Sequence, residues 1–221
     1  MTRFPPDWLA RNRDLVLAQL REHLELTLLT VLIAVAITIP LALLARRLPR
    51  LRTPLLALTG TLYTIPSLAL FVLLVAVTGL SRTTALIGLV AYSLLILLRN
   101  ILVALEGVPA EVRDAAVAMG HTPRQLLWRV EAPLALPVAL AGVRLATVST
   151  IGLVTVTALI GYGGLGRLFL IGFQRRNGTA LLTGFALSLL LAVAADLALA
   201  RLERRLTPWA EAAPARTGGA T

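Results

Sequence analysis

The side chains with most chemical potential stand in one polar stretch, EVRDAAVAMGHTPRQLLWRVEAPLALP, residues 111–137. It holds six formal charges: Glu111, Arg113, Asp114, Arg124, Arg129 and Glu131. Such a density of acid and base invites a search for catalysis, and the search fails. His23 and His121 are the only histidines, and neither has a ligand partner at helical spacing, so no metal site is expected. No serine sits in a G-x-S-x-G setting. The chain has no cysteine, which removes disulfides, thiolate metal sites and thiol nucleophiles. Every basic residue is arginine, so a P-loop G-x-x-x-x-G-K-[ST] cannot occur. Nothing here makes the chain an enzyme.

The pattern within the stretch is that of two short helices. Pro109 suits a first helical turn and Gly120 suits a helix end. Val112, Ala115, Ala116 and Met119 recur at i, i+3, i+4 and i+7, while Glu111, Asp114 and Ala118 lie on another face. Thr122-Pro123-Arg124-Gln125 reads as a capping box with proline at its first position. The second helix is expected to reach about Ala132, where Pro133 interrupts it. Small residues on an exposed helix let another surface approach closely. The alternative is a solvated loop.

A second cluster is Gly161-Tyr162-Gly163-Gly164-Leu165-Gly166, which matches G-x-G-x-x-G. A dinucleotide site would need a preceding strand and an acidic residue about 20 positions on. Here an apolar helix precedes it and the next acid is Asp196. The Gly161-Tyr162-Gly163 triplet is also similar to potassium filters, but the usual Thr-Val before it is missing. Two readings stay open: a flexible turn at the outer end of a span, near a gate, or a plain loop.

The elements that must carry these residues are membrane helices. The chain has 221 residues, 57% of them hydrophobic and 14% charged, against about 25% charged in soluble domains. Uncharged runs reach the roughly 20 apolar residues a span requires. Five spans are expected: 26–45, one within 53–80 that carries Pro66, 83 to about 105, about 134–160 and about 179–200. Residues 1–23 form a polar, amphipathic segment with apolar positions at Trp8, Leu9, Leu15, Val16 and Leu20. Residues 24–202 form the membrane domain, with 108–133 as its polar interruption, and 203–221 form a disordered tail. The net charge of +10 would suggest nucleic acid in a soluble protein. In this chain it reads as arginine at cytoplasmic span ends. Arg46, Arg47, Arg50 and Arg52 after the first span place that loop, the polar stretch and the C-terminus inside. Asp196 either serves function inside the membrane or pairs with Arg201, and Arg144 either snorkels or pairs with an acid such as Glu131.

Asp114-Ala115-Ala116, three residues, Gly120, nine residues, then Val130-Glu131-Ala132-Pro133 resembles the E-A-A-x3-G-x9-I-x-L-P loop of ABC importer permeases. Asp, Val and Ala replace the family's Glu, Ile and Leu, and the spacing is intact. TLYTIPSLALF (61–71), YSLLILLRN (92–100), APLALPVALAGVRLATV (132–148) and LIGYGGLG (159–166) are similar to the osmoprotectant subgroup, which serves glycine betaine, carnitine and choline. That subgroup often has proline where this chain has Ile96, so the third span should kink less. The resemblance implies an all-α, multi-pass MetI-like permease of the plasma or inner membrane, embedded in lipid and forming a path for a compatible solute. Glu111, Asp114, Ala115, Ala116, Gly120 and Pro133 would belong to a cytoplasmic coupling helix that docks on an ATPase. ATP and Mg²⁺ would bind that partner, in two copies. A second permease chain, self or paralogue, and a separate substrate-binding protein complete the implied assembly. Tyr63, Pro66, Ser67, Tyr92, Arg99, Asn100, Gly161, Gly163, Gly164 and Gly166 are the candidate path and gate residues. Tyr63 and Tyr92 could offer cation–π faces to a quaternary amine, or could simply pack in the core. The rival solute is an amino acid, and the rival class is a stand-alone ion channel.

Overall fold

A computed structural model describes residues 4, 5 and 7–211, so the tail 212–221 and residues 1–3 and 6 lie outside the description. Every element in it is helical. A short α1 (Trp8–Arg11) leads into α2 (Arg13–Arg47), a single helix of 35 residues. At 1.5 Å per residue α2 is about 52 Å long, well beyond the roughly 30 Å of a bilayer core. From Arg13 on, the expected polar 1–23 segment therefore runs into the first span as one continuous helix. Trp8 and Val16 pack against Leu165, Leu168 and Ala180 from the other end of the chain.

The second span is broken. A 3-10 turn (Pro49–Leu51) and α3 (Arg52–Thr64) run to Ile65-Pro66, and α4 (Ser67–Thr78) leaves at an angle of 97°. Helical backbone is disfavoured for a residue before proline, and Ile65 takes the extended alternative at φ −66°, ψ 127°. The pair still climbs the length of the next helix, α5 (Arg82–Glu106). Leu55 and Leu56 pack near Leu98 and Leu102, while Phe71 packs on Ala85 and Leu89. Counted as one span, the pair brings the total among the described residues to five. Ile96 leaves α5 unbroken.

After α6 (Ala110–Ala118), the short α7 (Pro123–Gln125), a π-helical stretch (Leu126–Glu131) and α8 (Ala132–Val154) run on as one helix over Pro123–Val154. Pro133 does not interrupt it. A proline ring collides with the carbonyl four residues back. The π stretch widens the turn, and Ala132 N–H bonds the carbonyl of Leu127, five residues back. A 3-10 turn (Val156–Ile160) leads to the glycine cluster, then to α9 (Gly166–Gln174), a helix the sequence pattern did not reveal. Arg176 turns the chain at φ 50°, and the Asn177 side chain caps α10 (Gly178–Leu206) by accepting from Ala180 N–H at 3.1 Å. Residues 203–206 continue α10 and Pro208–Glu211 form α11, so the first part of the expected disordered tail is helical.

The core is α5, packed along α2 on one side and α8 on the other, with α10 laid along α8 and α9. Three hydroxyls inside this apolar bundle bond within their own helices: Thr38 on Ala34 O (2.6 Å), Thr59 on Leu55 O (2.9 Å) and Thr147 on Val143 O (2.8 Å).

Candidate functional site

Three places collect the residues singled out by sequence. The first is the arginine-rich end. Gly120 closes α6 at φ +82°, where a glycine meets no steric cost. Gly120 N–H bonds Val117 O (2.9 Å) and His121 N–H bonds Ala116 O (3.1 Å), the paired bonds of a Schellman end. Thr122 and Gln125 cap the next helix reciprocally, at 2.9 and 3.3 Å. Only Ala116 of the α6 stripe is buried; Val112, Ala115 and Met119 are exposed beside Glu111 and Asp114. The result is a short helix that shows apolar and acidic residues outward. Pro133 lies within the π-to-α junction behind it, half-buried and apart from that face.

What holds α6 in place was not foreseen. Glu131 is fully buried and forms ion pairs with Arg113 of α6 (3.0 Å) and with Arg46 at the end of α2. Arg113 also donates to Leu105 O at 2.6 Å. Arg52 and Glu106 pair nearby at 2.8 Å. Arg144 does not reach Glu131. It pairs with Asp196 at 2.9 Å and Glu203 at 3.0 Å, tying α8 to α10, so Asp196 is matched by Arg144 and not by Arg201.

The second place is the helix break. Tyr63, Pro66, Ser67 and Tyr92 line one cavity of about 290 Å³ together with Ser93, Ser149 and Thr150. The two tyrosine rings meet edge to face at 5.5 Å and 68°. The break frees the Ile65 carbonyl, and the Tyr92 hydroxyl donates to it. Tyr92 is buried and Tyr63 is 45% exposed to the cavity mouth. Among the described residues no ionised side chain lines this space. Arg99 and Asn100 do not line it either. Asn100 turns its amide to Ile96 O (2.7 Å) and packs on Gly142, while Arg99 is exposed.

The third place is the glycine cluster, and it is not a flexible turn. Gly163, Gly164, Leu165 and Gly166 are buried. A Cβ at Gly163 would meet the Ala158 backbone, at Gly164 the His23 backbone, and at Gly166 the Thr155 carbonyl. Gly161 and Gly164 hold φ +90° and +48°. His23 locks the turn: its Nδ1 accepts from Leu165 N–H (3.3 Å) and its Nε2 faces Ile151 O (3.1 Å). That pair of partners, a donor and an acceptor, selects the neutral Nε2–H tautomer.

Residues 34–208 match the family described as the inner membrane component of binding-protein-dependent transport systems. The chain belongs to that family. It is a multi-pass permease component of the inner membrane, and a transport subunit. The permease is 38% identical over 200 residues to the glycine betaine/carnitine/choline transport system permease protein OpuCD of Bacillus subtilis, covering 90% of this chain and 87% of that one. It is 40% identical over 192 residues to the osmoprotectant import permease protein OsmW of Salmonella typhimurium, covering 85% and 89%. Its fold matches the inward-facing MetNI methionine ABC transporter with a TM-score of 0.77 at 24% identity, covering 87% of this chain and 96% of that one.

Proposed function

We propose that the permease forms the translocation path of an ABC importer for a quaternary-amine solute of the glycine betaine, choline or carnitine kind. The observation that carries this reading is the uncharged, tyrosine-walled cavity at the helix break. A trimethylammonium group is a cation with no hydrogen-bond donors. Aromatic faces attract it without the desolvation that a carboxylate would suffer. The printed functions of the permease relatives agree.

In this reading ATP and Mg²⁺ bind two separate ATPase subunits, which dock on residues 108–122 through Glu111, Asp114, Ala115, Ala116 and Gly120. Pro133 sets the helix behind them. A second permease chain completes the path and a separate binding protein delivers solute at the outer face. There the packed glycines Gly161, Gly163, Gly164 and Gly166 hold the gate's outer rim. Arg99 and Asn100 stand toward the inner mouth. ATP binding draws the docked helices together and shifts the population from inward- to outward-facing. The membrane unit spans 24–202.

Uptake by the reconstituted complex tests the solute class. Labelled glycine betaine, choline and carnitine should enter in an ATP-dependent way, and methionine should not. ATP-driven uptake of an amino acid alone would replace this reading with the amino-acid importer.

A further inference from the structure

One large groove has no part in the transport reading. It runs along the arginine-rich half of the bundle, about 300 Å³ in volume, between Val35, Ile39 and Leu43 of α2 and Ala139 and Val143 of α8. Every residue lining it is apolar, and the Trp128 indole brings the one polar side-chain atom. Past Leu43, Leu127 and Trp128 the groove continues into a second depression of about 360 Å³, where Arg46, Arg47 and Arg124 converge. Arg46 is engaged by Glu131. Arg47 and Arg124 are exposed, and among the described residues neither has a carboxylate within ion-pair distance. Trp128, 58% exposed, stands where the apolar part gives way to the basic part.

This order of chemistry along one line, aliphatic, then indole, then guanidinium, matches the depth profile of a leaflet: acyl chain, interface, phosphate. Charge selects among possible occupants. A second copy of this chain, itself at +10, would bring like charge to Arg47 and Arg124. A cationic solute would be repelled. A soluble subunit could reach the arginines but not the apolar groove within the bilayer.

We propose that this groove is a binding site for one anionic phospholipid of the cytoplasmic leaflet, its acyl chain along α2 and α8 and its phosphate on Arg47 and Arg124. The site adjoins Arg46, and through Glu131 and Arg113 it adjoins α6. The assignment needs the membrane location of the family and is independent of the solute.

The test is native mass spectrometry of the purified complex, exchanged into mixed detergent micelles holding equal phosphatidylglycerol and phosphatidylcholine. The wild type should retain phosphatidylglycerol preferentially. Arg47→Gln with Arg124→Gln, both at exposed positions, should weaken that retention about 30-fold, the effect of removing two arginines near an anionic surface. Ala139→Trp should displace the lipid with the arginines intact. Equal retention of the two lipids by the wild type would overturn the proposal, as would phosphatidylglycerol retention unchanged in the double variant. A disulfide between two copies carrying Trp128→Cys would overturn it too, by giving the groove to a second copy.

Discussion

Glu131 should behave as the shared anchor of two arginines, and that makes its energetics measurable. It has no exposed surface, while Arg46 and Arg113 are each 32% exposed. Removing either arginine leaves the carboxylate one partner, and water can reach the remaining guanidinium. Each single change, Arg46→Ala or Arg113→Ala, should then cost about 1 kcal/mol. Removing both leaves a buried carboxylate with no cation, which costs about 3–5 kcal/mol. The cycle should therefore show about 1–3 kcal/mol of non-additivity. In a thermal melt of the purified complex this corresponds to losses of about 3 °C for each single variant and 10 °C or more for the double. Replacing all three residues by leucine should recover most of the loss, because no buried charge is left. A double variant whose loss equals the sum of the singles would refute the argument that Glu131 depends on either arginine in turn.

Gly120→Trp should leave the permease in the membrane but remove substrate-stimulated ATPase activity in the assembled complex; full coupling would separate α6 from ATPase docking. Tyr63→Ala should raise the KM for a quaternary amine by about 3- to 30-fold, the range of a lost cation–π contact, with little change in Tm, since Tyr63 is 45% exposed; an unchanged KM in uptake assays would count against the cavity as a solute site. Gly164→Ala should lower Tm by several degrees, because its Cβ meets the His23 backbone and its φ is +48°; an unchanged melting curve would show that the turn is looser than its packing indicates.

Local signals in the sequence were the ones that carried through. The Gly120 helix end and the Thr122–Gln125 capping box are set by a few adjacent residues, and both occur with the expected bonds. Pro66 disfavours helix at the residue before it, yet Pro40 and Pro137 lie inside unbroken helices, so the 97° turn and the meeting of Tyr63 with Tyr92 depend on how α3 and α4 lie against α5. Pairings over long separations stayed hidden. Arg46, Arg113 and Glu131 meet only once α2, α6 and the π stretch converge, and Arg144 could have matched any acid until α10 was laid beside α8. Pro133 misled because a π turn absorbs it, and α9 was missed because its nine residues follow a glycine-rich run that reads as loop. That same run looked flexible from composition. Its glycines instead give the close approach that lets His23 and Thr155 pack against it.

The proposed drive for this permease is an ATPase docked on α6. A photo-crosslinking residue placed at exposed Ala115 in native membranes tests it most directly. An ultraviolet-dependent adduct with a subunit that carries a P-loop is expected, lost when Gly120→Trp is added. No adduct with such a subunit, together with a chain that purifies alone and conducts ions in a bilayer, would contradict it.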